Sequence, residues 1–339
     1  MNKKRVLAML LAGAMALSMT ACGGNSASTD GSSNDGGGAS ASGGSYKVSV
    51  ILKTLAAEYW QYVKSGAEDY ASEHSDKVTV EVKGPSSETA FDEMQNMIET
   101  DLSSGSYDGV IISPLQSDTA AQLVSGTKLP IVAIDTNFTA PEVKSFVGTG
   151  NEAAAKKGGE AAVEAAKAAG WTDIKCIEIA GVQGDQTNTA RMNGYKAGVE
   201  EAGGTFLSDE VQYADATADR ATTAMEAIMQ THPEGIAIIC ANNDDMAMAA
   251  ARAAQGHDAY KNTIFLGFNG DRAACEAILA GQMTMSVAQM AYEMGYKAVE
   301  TMVQVLDGET VDEFVDSGSD VVTPDNAQER LDTLKTQLH

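Results

Sequence analysis

Short apolar runs in this chain of 339 residues repeatedly end in a polar group. Lys53 follows "VSVIL", Ser113 and Pro114 follow "GVII", and Asp135 follows "IVAI". Asn242, Asn243 and Asp244 follow "IAIICA", Asn269 follows "FLGF", and Gln289 follows "MSVA". One such residue would mean little, because Asn and Asp are common helix caps. Several in the same register form a set, and its chemistry is distinctive. Amides both donate and accept hydrogen bonds, a carboxylate only accepts, and an ammonium only donates. The set is rich in amides and poor in nucleophiles, which favours holding a ligand over transforming it.

Catalytic alternatives find little support. "GTGNEA" (148–153) matches G-x-G-x-x-A between a strand and a helix. A dinucleotide fingerprint, however, belongs on the first strand of its half-domain, and the first strand here runs into "KTLAAEYW" with no glycine. There is no G-x-x-x-x-G-K-[ST] and no G-x-S-x-G, and His74, His232, His257 and His339 lie in helix ends, loops or the terminus. The expectation is therefore a non-enzyme with no cofactor and no metal site. Cys176, Cys240 and Cys275 have no paired spacing and read as buried thiols.

The elements that must position the polar set are legible in the periodicity. About ten β-rich runs alternate from Tyr46 onward with Ala-rich amphipathic stretches such as Ala57–His74, Ala153–Ala169, Gln186–Ala202 and Ala218–Met229. Strands separated by helices imply βαβ units and parallel sheets. Continuously apolar runs such as "VIIS", "IVAI" and "IAII" suit strands covered on both faces. The series restarts near Gly148–Asn151, so the predicted fold is α/β, with two doubly wound parallel-sheet lobes. Ligands in such sheets bind outside the carboxyl ends of the strands, where the polar set falls.

The first 45 residues belong to no core. "MNKKRVLAMLLAGAMALSMTAC" has a basic start, a short apolar stretch and small residues before Cys22. It reads as a lipoprotein signal peptide (1–21), with Cys22 the lipidated first mature residue. Residues 22–45 are a Gly/Ser-rich tether with nothing to bury. The formal net charge of −24 repels nucleic acid and anionic lipid head groups, so no nucleic-acid partner is expected.

The chain resembles the periplasmic sugar-binding proteins of the ribose and allose type, the solute-binding components of ABC importers. The resemblance runs from about Tyr46 to Val322 and rests on "VILKTLAAEYW", "GVIISPLQSD", "PIVAIDTN", "ARMNGYKAG", "IICANNDDMAMAAARA", "FLGFNG" and "GQMTMSVAQ". It implies a three-crossover hinge near Gly150, Gln289–Met290 and Asp316–Gly318. The N-terminal lobe would comprise 46–150 plus 290–317, and the C-terminal lobe 151–289 plus 318–339. It further implies that Tyr59 and Trp60 stack on a sugar ring while Lys53 reaches its hydroxyls. Asp135 would accept two hydroxyl hydrogen bonds, Arg191 would donate a fork, and Asn243 and Gln289 would do both. Thr136 stands where relatives carry Arg or Glu, Asn269 where they usually carry Asp, and Ala57 where ribose binders have an amide. The second lobe's usual aromatic has only Tyr213 and Asp215 as candidates.

The implied ligand is a monosaccharide or related polyol, captured by hinge closure and passed to a membrane permease. Presentation to a chemoreceptor or histidine kinase is the alternative. The expected setting is the outer face of the cell membrane, with the protein monomeric and held by the lipid on Cys22. The tail "PDNAQERLDTLKTQLH" extends past the family's usual end and has no assigned role.

Overall fold

The computed structural model describes residues 45–338, so the leader, Cys22 and nearly all of the tether lie outside the described residues. The first run of elements is β1 (Tyr46–Ile51), α1 (Glu58–Glu73), β2 (Val78–Lys83), α2 (Phe91–Ser104), β3 (Gly109–Ile112), α3 (Ser117–Val124), β4 (Ile131–Ile134) and β5 (Val143–Gly148). The second is α4 (Asn151–Ala168), β6 (Lys175–Ala180), α5 (Gln186–Glu201), β7 (Thr205–Phe206), β8 (Gln212–Tyr213), α6 (Ala218–Thr231), β9 (Ile238–Ala241), α7 (Asp244–Ala254), β10 (Ile264–Asn269), α8 (Arg272–Leu279) and β11 (Met285–Gln289). The chain then continues through α9 (Ala291–Leu306), β12 (Phe314–Asp316), β13 (Ser319–Val322) and α10 (Ala327–Lys335).

Two sheets result. One has the order β12-β5-β4-β3-β1-β2; the other runs β13-β11-β10-β9-β6-β7, with β8 also on β6. The chain passes between them three times, after β5, after β11 and between β12 and β13. Three strands exceed the ten expected: β7, β12 and β13, each only two to four residues long. Segments that short carry no measurable periodicity. β13 also departs from the all-parallel expectation, pairing antiparallel with β11.

The inner strands β3, β4 and β9 are apolar throughout because helices cover both faces. Val110 and Ile112 face the core shared with α2 and α3, whereas Ile111 points to the opposite side, among residues of α1 and α9. In the second sheet Ile177 and Ile179 face one cluster and Cys176 another. The α1–α9 contact is a backbone-to-backbone approach. A Cβ on Gly295 would stand 1.9 Å from the Val63 carbonyl oxygen, and one on Gly66 would stand 2.0 Å from that of Tyr292. The first helix of the site is thereby held against the helix that follows the second crossover.

Candidate ligand-binding site

The carboxyl ends of both sheets line one recess of about 610 Å³, counting its open mouth. Four described non-glycine residues have positive φ: Asp135 (62°), Asp215 (48°), Ala216 (58°) and Asn269 (136°). Three of them, Asp135, Ala216 and Asn269, line the recess. Backbone in such regions persists only where its surroundings hold it, and it gathers at functional sites.

The first lobe supplies an aromatic and acidic wall. Tyr59 and Trp60 open α1, and their rings meet edge to face at 4.9 Å. The Tyr59 hydroxyl donates to Asp135 Oδ1 at 2.8 Å, and the Trp60 indole N–H donates to Glu88 Oε1 at 3.0 Å. Thr136 is fully buried behind the lining, where its hydroxyl donates to Asp135 Oδ2 at 2.9 Å and lies 2.7 Å from Thr187 Oγ1 of the other lobe. It therefore braces Asp135 at its back. Asp135 keeps both oxygens engaged without a ligand.

Lys53, two residues past β1, is 4% exposed. Its ammonium hydrogen-bonds Asp185 of the second lobe and lies 4.0 Å from Asp135 Oδ2. Burial works against that charge, but Asp185, Asp135 and Glu88 outweigh it and hold the lysine pKa above its ordinary value. Burial raises the Glu88 carboxyl, and Lys53 and the Trp60 N–H oppose the shift. Asp185 caps α5, accepting from the N–H groups of Thr187 (2.7 Å) and Asn188 (3.1 Å) through Oδ1. Its other oxygen is left for Lys53.

Arg191 lies in the second turn of α5 with its guanidinium 3.8 Å from the centre of the Phe268 ring. Nε donates to Asn151 Oδ1 (2.9 Å) and Nη1 to the Asn242 carbonyl (2.8 Å). No ion pair joins Arg191 to Asp135 among the described residues. Asn243 caps α7 through Oδ1 and donates from Nδ2 to the Ala216 carbonyl. It is thus a cap and a lining residue at once. Asn269 Oδ1 accepts from Gln289 Nε2 at 3.1 Å, and the buried Gln289 Oε1 has no partner among the described residues.

Lys53, Tyr59, Trp60, Asp135, Arg191, Asn243, Asn269 and Gln289 thus line one recess, as does Ala57, while Thr136 stands behind it. Tyr213 is 44% exposed and Asp215 pairs with Arg220, so neither faces the lining. Glu88, Asp185, Asp245 and Asp271 also line the recess and were missed. For Asp185 a signal existed, an Asp immediately before a helical run. Glu88 sits in the irregular loop "PSSETA", which has no period to read. Five lining carboxylates face two cations, Lys53 and Arg191. No group of three or more His, Cys, Asp or Glu suited to a metal ion occurs among the described residues.

A sequence profile of the periplasmic binding protein domain matches residues 48–310. The chain belongs to the periplasmic binding protein domain family. Among family members, the D-allose-binding periplasmic protein of Escherichia coli K12 is 30% identical over 75% of this chain and 82% of its own length. The ribose import binding protein of the same strain is 27% identical over 78% and 86%. A carbohydrate transporter solute-binding protein of Agrobacterium radiobacter, solved in complex with D-arabinose, superposes with a TM-score of 0.77 over 87% of this chain and 99% of that one, at 23% identity. The two-lobed fold is the family's.

Proposed function

We propose that this periplasmic binding protein captures a monosaccharide or related polyol between its lobes outside the cytoplasm and delivers it to an ABC permease. The observation that carries this reading is the convergence of an aromatic pair, buried carboxylates, a guanidinium and amides from two lobes on one recess. A sugar has apolar C–H faces and a hydroxyl rim; aromatic planes suit the faces, and charged or amide groups suit the rim. Tyr59 and Trp60 take the ring face. Asp135 and Glu88 accept from hydroxyls, Arg191 donates the N–H groups its protein partners leave unused, and Gln289 Oε1 gains the donor it lacks. Lys53, Asn243 and Asn269 complete the rim, with Thr136 holding Asp135.

Ligand touching both lobes favours the closed form by the difference in its contacts between closed and open. Relatives named for import favour a permease over a chemoreceptor or histidine kinase as the receiver. The lipid on Cys22 and the tether would keep the domain at the membrane's outer face, as a monomer. The lobe boundaries we propose are those read from the sequence, 46–150 plus 290–317 and 151–289 plus 318–339.

A thermal-unfolding screen against pentoses, hexoses, polyols and nucleotides tests the reading. A ligand at about 100 times its Kd stabilises by roughly 2.7 kcal/mol, a shift of a few degrees. A response to one or two sugars is expected. Silence to every sugar, with a response to another solute, overturns the reading of the recess.

A further inference from the structure

The tail that the sequence left without a role packs beside the site, against backbone that carries lining residues. In α10, Ala327, Leu331 and Leu334 are buried, and the helix packs against α8. From the end of its first turn Arg330 reaches inward: Nε donates to the Gly270 carbonyl at 3.0 Å, Nη2 to the Gln289 carbonyl at 2.7 Å, and Nη1 lies 3.2 Å from Met290 Sδ. One planar fork thus spans two backbone segments. The first carries Asn269 and Asp271, the second Gln289 and the crossover into α9. The side chains of Asn269 and Gln289 are the pair already joined at 3.1 Å.

The turn so held is strained. Asn269 has φ 136° and Gly270 φ 62°, and a Cβ on Gly270 would come within 2.3 Å of the Ala288 Cβ. Its N–H side is held by Asp244, whose Oδ2 accepts from Gly270 N (2.7 Å) and Asp271 N (3.2 Å), and by Ser286 Oγ, which accepts from Gly270 N at 3.0 Å. Arg330 holds its C=O side. We propose that Arg330 is a positioning residue of the ligand site: the C-terminal helix fixes the Asn269–Asp271 turn to the Gln289–Met290 crossover, and ligand affinity depends on it. This proposal rests on the ligand-site reading above.

The test compares Arg330→Ala, Arg330→Lys and Leu334→Ala, the last loosening the same helix while leaving the fork intact. Two readouts are taken: amide hydrogen exchange in segments 264–271 and 285–291, and calorimetric affinity for whichever sugar the screen identifies. Losing a charged hydrogen bond corresponds to about 10- to 100-fold. Arg330→Ala should raise exchange in both segments and weaken affinity by that order. Arg330→Lys, which can reach one carbonyl, should recover part of each. Leu334→Ala should change neither once compared at equal distance below its own Tm. Equal effects from Arg330→Ala and Leu334→Ala, or unchanged exchange in Arg330→Ala, overturn the proposal. Should no sugar bind the wild type, the sugar reading fails, while exchange, which needs no ligand, still decides the role of Arg330. Should Arg330→Ala not fold, Arg330→Lys decides on the same readouts.

Discussion

Lys53 keeps its charge in a place water hardly reaches because two aspartates from different lobes meet it there. The same logic of buried charge sorts the other residues of the site. Asp135 and Arg191 can serve a ligand as charged hydrogen-bonding groups whose orientation is already set by Tyr59, Thr136, Asn151 and Asn242. Asp135→Ala or Arg191→Ala should therefore lower affinity by about 100-fold or more, measured by calorimetry with the screened sugar. Within the field of Arg191 lies a residue of another kind. Glu178, on β6, is fully buried with neither carboxyl oxygen hydrogen-bonded among the described residues. Burial pushes its pKa up to about 8, with the Arg191 charge pulling the other way. A raised carboxyl pKa means the folded state holds a proton the unfolded chain releases. That contribution is complete below the usual value of 4.5 and is lost as pH rises through about 8. Glu178→Gln should match the wild type in urea stability near pH 4. It should exceed it by a growing margin up to pH 8, on the order of a few kcal/mol. A constant margin across that range would show that Glu178 is not held protonated.

Among the elements, α1 carries the aromatic pair of the site and is held by α9. Tyr59 and Trp60 stand at the start of α1, and the direction in which they point depends on how that helix lies. Gly66 and Gly295 let the two backbones touch, with no room for a methyl group on either. Gly295→Ala should cost about 1–3 kcal/mol or more by overpacking, read from the urea midpoint at unchanged m-value. A smaller loss would mean that the helices can slide apart. The short strands make the complementary point. β12 and β13 were invisible as periodic segments, yet they edge the two sheets and carry the third crossover between them.

For the molecule as a whole, contacts across the recess would set the balance between the open and closed forms proposed above. Besides Lys53–Asp185, these are the Thr136–Thr187 hydroxyl pair, the Thr187 bond to the Asp135 carbonyl at 3.3 Å, and a rim pair between Arg272 and Glu58 at 3.2 Å. The rim pair is half-exposed on its arginine side and contributes little. Removing one partner of a buried pair costs about 3–5 kcal/mol while the other stays buried. Here opening the lobes would rehydrate Asp185 and relieve that cost. Lys53→Met should thus give a larger radius of gyration than the wild type in ligand-free small-angle scattering. Identical radii would show that the pair does not bias closure.

The sequence alone determined the alternation of strands and helices, the two-lobed parallel fold, and the register that puts Lys53, Asp135, Asn243, Asn269 and Gln289 at strand ends. All of these follow from local hydrophobic periodicity and from where an apolar run stops. Arg191 and the aromatic pair came from resemblance, because their positions within helices give no such signal. Only the tertiary structure decided what is non-local. It brought Glu88 from an irregular loop to Trp60, turned Thr136 away from the recess, and set Asp185 against Lys53 across 132 positions of chain. It also carried Arg330 from the unassigned tail to the carbonyls of Gly270 and Gln289. Such contacts join segments far apart in the chain, and no local pattern encodes which polar group a buried charge will meet.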